Sequence, residues 1–236
     1  PPDMRDTSET KGLIVAVIYD RWVSDQVTQY SDDVNQIAWA LRYVNPDIGI
    51  GKNLEAQFFH AHRWNPDFNT IVNTIGGRLF ASFEGFTLGG DIAANIGSTR
   101  EVSEGYSLIS NDPVMDQEIL QLGARAVARY DVLLDGRDEK FPFVTGYLEF
   151  DYASGDGDPR PGTPLSQFRF SEDTNVGLLL FDHVVRYQSA RASRAGVEIL
   201  RRLGASTYAA ERIDTRGAFT GAMALFPQMD FRPHED

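Results

Sequence analysis

Strict alternation of apolar with polar or small residues constrains this chain more than any other feature of its sequence. In the segment GFTLGGDIAANIG, residues 85–97, Leu88, Ile92 and Ile96 share one parity and Asp91 has the other. A period of two predicts a β-strand with one apolar face. In a soluble sheet such a face packs on a core, whereas in a transmembrane barrel it contacts lipid and the opposite face lines the lumen.

The same pattern recurs along most of the chain, which predicts an antiparallel all-β protein. The further candidate strands are GLIVAVIYDRW (12–22), QIAWALRY (36–43), LEAQFFHAHRW (54–64), IGGRLFASFE (75–84), LQLGARAVARY (120–130) and VTGYLEFDY (144–152). Most have about 9–12 residues, longer than the roughly 5–6 of globular strands and similar to the roughly 9–11 of a membrane-crossing strand. Large aromatic residues sit near the ends of the apolar faces, as in the aromatic girdles of membrane barrels: Tyr19, Trp22, Tyr43, Trp64, Phe83, Phe86, Tyr130 and Tyr152.

Composition excludes several classes of function. The net charge of −12 argues against nucleic acid as a partner, because phosphate binding requires a basic surface. The chain has no cysteine, which excludes disulfides and cysteine-ligated zinc. The sequence contains no G-x-S-x-G, H-E-x-x-H or P-loop motif. We therefore expect a protein that is not an enzyme and needs no cofactor.

The pattern changes after residue 152. ASGDGDPRPGTPLSQ, residues 153–167, is rich in turn residues, and the arginine- and alanine-rich stretch that follows predicts a helix within about 178–202. GAFTGAMALFPQMDF, residues 217–231, is the last candidate strand. We expect one domain, 1–236, with strands over about 12–152 and 217–231 and a loop or helical segment over about 153–204.

Charged residues collect on the polar parity of the strands. In a soluble sheet they are a solvated face, whereas in a barrel they line the lumen and pair across strands. We interpret these residues as lumen or solute-binding residues: Arg42, Glu55, Arg63, Arg78, Asp91, Arg125, Arg129, Glu149 and Asp151. The predicted helix supplies the basic residues of a plug, expected to meet Glu149 and Asp151: Arg186, Arg191 and Arg194.

Two further motifs have metal-binding alternatives. His60 and His62 share one face of a strand, and such a pair can bind metal. We interpret them as interfacial histidines, because they lie on the apolar parity beside Trp64. The segment SGDGDP, residues 154–159, offers carboxylates for calcium, but its spacing differs from an EF-hand loop and favours a flexible surface loop. No metal site is therefore predicted.

The strand series, followed by YLEFDYASGDGDP and FRFSEDTNVGLLLFDHVVRYQSARAS, resembles Gram-negative outer-membrane β-barrels of the alginate-export-like porin type over about residues 12–231. The resemblance implies passive movement of a polar or anionic solute across the outer membrane, with arginines in the lumen. This sequence departs from the type in two ways. Acidic residues interleave with the arginines, and the chain supplies about 8–10 strands where such porins have about 16–18.

The sequence therefore predicts an antiparallel transmembrane β-barrel in a bacterial outer membrane, either small and closed or part of a larger barrel. It has long polar loops and one helical loop segment. Its function is a porin-like channel for polar or anionic solutes, or the membrane anchor of a larger surface assembly. Its partners are outer-membrane lipid and the solute. The alternatives are a soluble β-sandwich that binds carbohydrate, and a structural barrel with a blocked lumen.

Overall fold

The computed structural model describes residues 11–21, 34–132, 144–158, 160–171, 184–204, 207–211 and 213–231. The strands are β1 (Gly12–Arg21), β2 (Asn35–Asp47), β3 (Lys52–Asn65), β4 (Thr70–Phe83), β5 (Phe86–Thr99), β6 (Gln117–Val132), β7 (Val144–Ala153) and β8 (Ala222–Phe231). The helices are α1 (Glu101–Ser110), α2 (Arg186–Arg202) and α3 (Tyr208–Glu211), and Pro66–Phe68 forms a 3₁₀ turn.

All eight strands belong to one antiparallel sheet in which each strand pairs with its neighbour in sequence, from β1 to β8. The predicted all-β antiparallel class is confirmed. No pairing between β8 and β1 occurs in the described part of the chain, so the sheet has two edges there. A β-sandwich requires two packed sheets, and the described strands form only one.

The connections differ in length at the two ends of the sheet. At one end, which we call the short-turn end, residues 133–143 separate β6 from β7, residues 48–51 join β2 to β3, and Glu84 and Gly85 join β4 to β5. These last two residues have φ of 39° and 86°, as a two-residue hairpin turn requires. At the opposite end, the long-connection end, residues 22–34 separate β1 from β2, residues 66–69 join β3 to β4, residues 100–116 join β5 to β6, and residues 154–221 join β7 to β8.

The sequence predicts one helical loop segment, over about 153–204, but residues 100–116 also contain a helix, α1. The N-cap residue of the helix, Arg100, makes no side-chain capping hydrogen bond, although the Glu101 amide donates one to Thr99 Oγ1. Val102 and Tyr106 pack against Ile119 of β6 and Leu165 of the β7–β8 connection. These tertiary contacts stabilise the helix.

The predicted helix in the β7–β8 connection is confirmed as α2, while residues 178–183 of that prediction lie outside the described residues. Ser193 and Leu200 are buried on its inner side. At Gly196, a Cβ atom would lie 2.9 Å from the Cβ of Ala210, so the absence of a side chain allows α3 to approach closely. Within the described residues, every helix is too short or too polar to cross a bilayer.

Candidate functional site: the charged face of the sheet

The strand register divides the sheet into two faces of opposite character. One, which we call the apolar face, carries the eight residues predicted to share an apolar surface: Trp39, Leu41, Phe58, Leu79, Leu88, Ile92, Leu122 and Leu148. All eight are exposed rather than packed into a core. Away from the strand ends, no position on this face of the described strands carries a charged residue.

The apolar face is about as long as a membrane-crossing strand. On β5 it runs from Phe86 to Ile96, and the rings of Phe86 and of Tyr130 on β6 have centroids 4.2 Å apart. Ten residue steps at about 3.4 Å cover about 34 Å along the strand, which would correspond to about 26 Å in height at the tilt of about 40° that membrane barrels have. Of the expected girdle aromatics, Trp22 lies outside the described residues.

The opposite face, which we call the charged face, contains a row of polar side chains at one level. Cross-strand register pairs connect its members directly, from β2 to β7: Arg42, Gln57, Arg78, Asp91, Arg125 and Asp151. The last four alternate in sign, which is the arrangement that stabilises adjacent strands. Gln57 was absent from the predicted site, because only the register shows that it joins the row.

Ion pairs link the members of the row to each other and to the remaining acids. Arg42 Nε lies 3.0 Å from Glu55 Oε1, and Arg78 Nε lies 3.6 Å from Asp91 Oδ1. The expectation that Arg129 pairs across strands was wrong. Its Nε lies 3.0 Å from Asp131 Oδ1, two residues along the same strand. Arg63 is on the same face, exposed near the long-connection end.

Arg125 holds two carboxylates in the most buried part of the row. It forms ion pairs with Glu149 and, at 3.8 Å from its Nε, with Asp151. Tyr147 donates a 2.7 Å hydrogen bond to Glu149. The side chain of Asp151 is 0% exposed, and its oxygens have no hydrogen-bond partner within the described residues. Arg125 therefore supplies the neighbouring positive charge that a buried carboxylate requires.

Two connections fold over the charged face at the long-connection end. Over β7 and β8, Phe168, Phe170 and Phe219 form a cluster with Ala153 and Ala224. The ring of Phe168 lies over the space where a side chain at Gly123 would be. Over β4 and β6, α1 packs on Val72 and Ile119. We call α1, α2, α3 and residues 160–171 and 213–221 the cap.

The expected contact of the α2 arginines with Glu149 and Asp151 stays a prediction. Helix α2 contacts α1 and α3. The ion pairs described for Glu149 and Asp151 are with Arg125 rather than with Arg186, Arg191 or Arg194. In the described structure, Phe168, Phe170 and Phe219 of the β7–β8 connection reach the charged face.

Hydrogen bonds stabilise ionised carboxylates in the connections. Arg160 hydrogen bonds lower the pKa of Asp158 to about 2, so this acid stays charged at any physiological pH. Hydrogen bonds from Asn69 and Arg100 also lower the pKa of Asp116, which lies between α1 and β6. Burial raises the pKa of the Tyr106 hydroxyl. The Asp158 carboxylate of the SGDGDP segment thus already accepts hydrogen bonds from Arg160.

Comparisons of this chain with models of protein families, with curated proteins and with solved structures find no match. The resemblance to alginate-export-like porins therefore stays a prediction. The argument for function depends on the two faces of the sheet and on the cap.

Proposed function

We propose that this chain forms part or all of the wall of a transmembrane β-barrel in a bacterial outer membrane, with its charged face lining a passage for polar solutes. One observation carries the proposal: the apolar face spans eight strands, is exposed, and has no charged residue away from the strand ends of the described sheet. Exposing such a large apolar surface to water is unfavourable, whereas lipid accommodates it.

The unequal ends of the sheet support an orientation. Outer-membrane barrels have short periplasmic turns and longer extracellular loops. The short-turn end would then face the periplasm, and the cap would lie at the extracellular end. The two ten-residue edge strands, β1 and β8, would complete the barrel by pairing with each other or with further strands, because unpaired edges do not occur in hydrocarbon.

The charged row favours polar solutes over strongly anionic ones. Its arginines pair with Glu55, Asp91, Glu149 and Asp151, so little positive charge is left to attract an anion. The cap covers the charged face at the long-connection end, from β4 to β8, so it would narrow the passage there. A second candidate function, the membrane anchor of a surface assembly, is favoured by the additional layer that α2 and α3 form on α1.

Planar-bilayer recordings of the full chain distinguish these candidates. A channel gives stepwise conductance with weak ion selectivity. Asp91 is 40% exposed within the charged row, so Asp91→Asn should shift the reversal potential towards anion selectivity. Glu118→Gln, at an exposed strand end on the apolar face, is the matched control and should leave selectivity unchanged.

Insertion without conductance would favour the anchor. Equal effects of Asp91→Asn and Glu118→Gln on selectivity would contradict the assignment of the charged face to the passage.

A further inference from the structure

Three polar side chains interrupt the apolar face on β3 and β4. His60 and His62 lie on β3, and Asn73 lies directly opposite His62 on β4. His60 Nε2 is 3.2 Å from Asn73 Oδ1, and His62 Nδ1 is 2.9 Å from the same oxygen. Two imidazole nitrogens and one amide oxygen therefore converge within hydrogen-bond distance. We call these three residues the histidine cluster.

The histidine cluster lies among large apolar groups. The Trp39 ring centroid is 6.1 Å from that of His60, and Trp64 stacks on His62 at 5.4 Å. Burying polar side chains in such surroundings costs free energy unless their partners compensate for it. Two neighbouring histidines in such surroundings are therefore candidates for a binding function.

A groove connects the histidine cluster with the polar rim of the sheet. It has a volume of about 500 Å³ and is lined by Ile37, His62, Trp64, Asn65, Pro66, Asn69, Thr70 and Ile71. The asparagine and threonine side chains mark its end at the β3–β4 connection. A hydrated ion can therefore approach His62 along a path that is polar at its entrance.

We propose that His60, His62 and Asn73 bind a divalent transition-metal ion of the Zn²⁺, Ni²⁺ or Cu²⁺ class. Imidazole nitrogen is a preferred ligand of these ions. Donors bound at about 2.1 Å and at right angles lie about 3.0 Å apart. The separations of 3.2 and 2.9 Å between Asn73 Oδ1 and the two imidazole nitrogens match that spacing.

This site replaces the interpretation of His60 and His62 as merely interfacial. The described residues contain no cluster of three histidine, cysteine, aspartate or glutamate side chains, so the third ligand is an amide that sequence spacing alone does not indicate. The proposal is argued from the geometry of the histidine cluster and not from the proposed function, so a failure to bind metal would leave the membrane account standing.

Tryptophan fluorescence of the folded full chain, measured during titration with Cu²⁺, tests the site. Bound Cu²⁺ quenches the fluorescence of nearby indoles, and both Trp39 and Trp64 lie beside the histidines. Saturable quenching at one ion per chain is expected. His60→Gln and His62→Gln should each weaken binding by about tenfold or more, since even outer partners of a metal site contribute about that much. His183→Gln changes a histidine elsewhere in the sequence and should bind like the unmodified chain.

A further variant, Asn73→Asp, tests the site even if the histidine variants do not fold. It keeps the side chain's shape and adds a carboxylate ligand, so it should tighten Cu²⁺ binding by about tenfold. Electron paramagnetic resonance should show two coupled nitrogens in the unmodified chain and one in either histidine variant. Absence of quenching in the unmodified chain, or equal quenching in the His60→Gln/His62→Gln double variant, would overturn the proposal. So would an Asn73→Asp variant that binds no more tightly.

Discussion

Leu41→Arg is expected to prevent insertion of the sheet into a lipid bilayer, whereas Ala40→Arg is expected to permit it. Leu41 lies on the apolar face between Val15 and Phe58, and its side chain is 38% exposed. A charge facing lipid costs about 2–4 kcal/mol near the midplane. Ala40 is the adjacent residue on the charged face, where water and carboxylates surround a new arginine. The fraction of chain that inserts into liposomes, read by heat-modifiable gel mobility, measures the effect.

The same pair of variants separates the membrane account from a soluble one. If water covers the apolar face, Leu41→Arg replaces an exposed leucine with a solvated charge and changes stability by less than about 0.5 kcal/mol. Equal insertion of the two variants, or a greater loss with Ala40→Arg, would contradict the assignment of the two faces.

Arg125→Met should cause the largest loss of stability among substitutions in the charged row. It leaves Glu149 and the fully buried Asp151 without the cation that faces both of them. Removing one partner of a buried ion pair costs about 3–5 kcal/mol. Because the arginine side chain is 36% exposed, we expect about 2–3 kcal/mol. Equilibrium unfolding in urea measures this loss.

Two comparisons identify the cause of that loss. Arg125→Met combined with Glu149→Gln and Asp151→Asn removes the uncompensated charges and should recover most of the stability. Arg100→Met breaks the exposed pair with Asp116 and should cost less than about 1 kcal/mol. If the triple variant is no more stable than Arg125→Met, packing rather than charge explains the effect.

The strands were predictable because each carries its own periodicity. Alternation placed strands over 54–64 and 144–152, and the structure has β3 at Lys52–Asn65 and β7 at Val144–Ala153. The differences lie at strand ends, where pairing continues into turn residues that do not alternate. β8 begins at Ala222 rather than near 217, because Phe219 packs against Phe168 and Phe170, and Thr220 forms an isolated bridge with Arg169.

The charged row could be predicted only in part. Parity alone shows that Arg78, Asp91 and Arg125 share a face. Which residues lie next to each other on neighbouring strands depends on the strand register. For β4 and β5, the two-residue turn at Glu84 and Gly85 fixes that register. The cap was not predictable, because Phe168 and Phe219 are far apart in sequence and meet only when the β7–β8 connection folds back.

The histidine cluster shows the same limit. The pair on β3 is visible in sequence as two residues that share a face. Asn73 lies 11 residues from His62, and only the β3–β4 register brings it opposite. The two histidines alone therefore supply too few donor atoms for the sequence to predict a metal site.

The most direct test of the membrane account is a spin-label scan of β5. The chain has no cysteine, so single cysteines introduced along Phe86–Thr99 each carry one nitroxide without further engineering. In lipid bilayers, labels at Leu88, Ile92 and Ile96 should be most accessible to dissolved oxygen. Labels at Thr87, Asp91 and Asn95 should instead be accessible to a water-soluble nickel complex. Access of the nickel complex to both sets, or of neither reagent to the apolar set, would contradict a lipid-facing sheet.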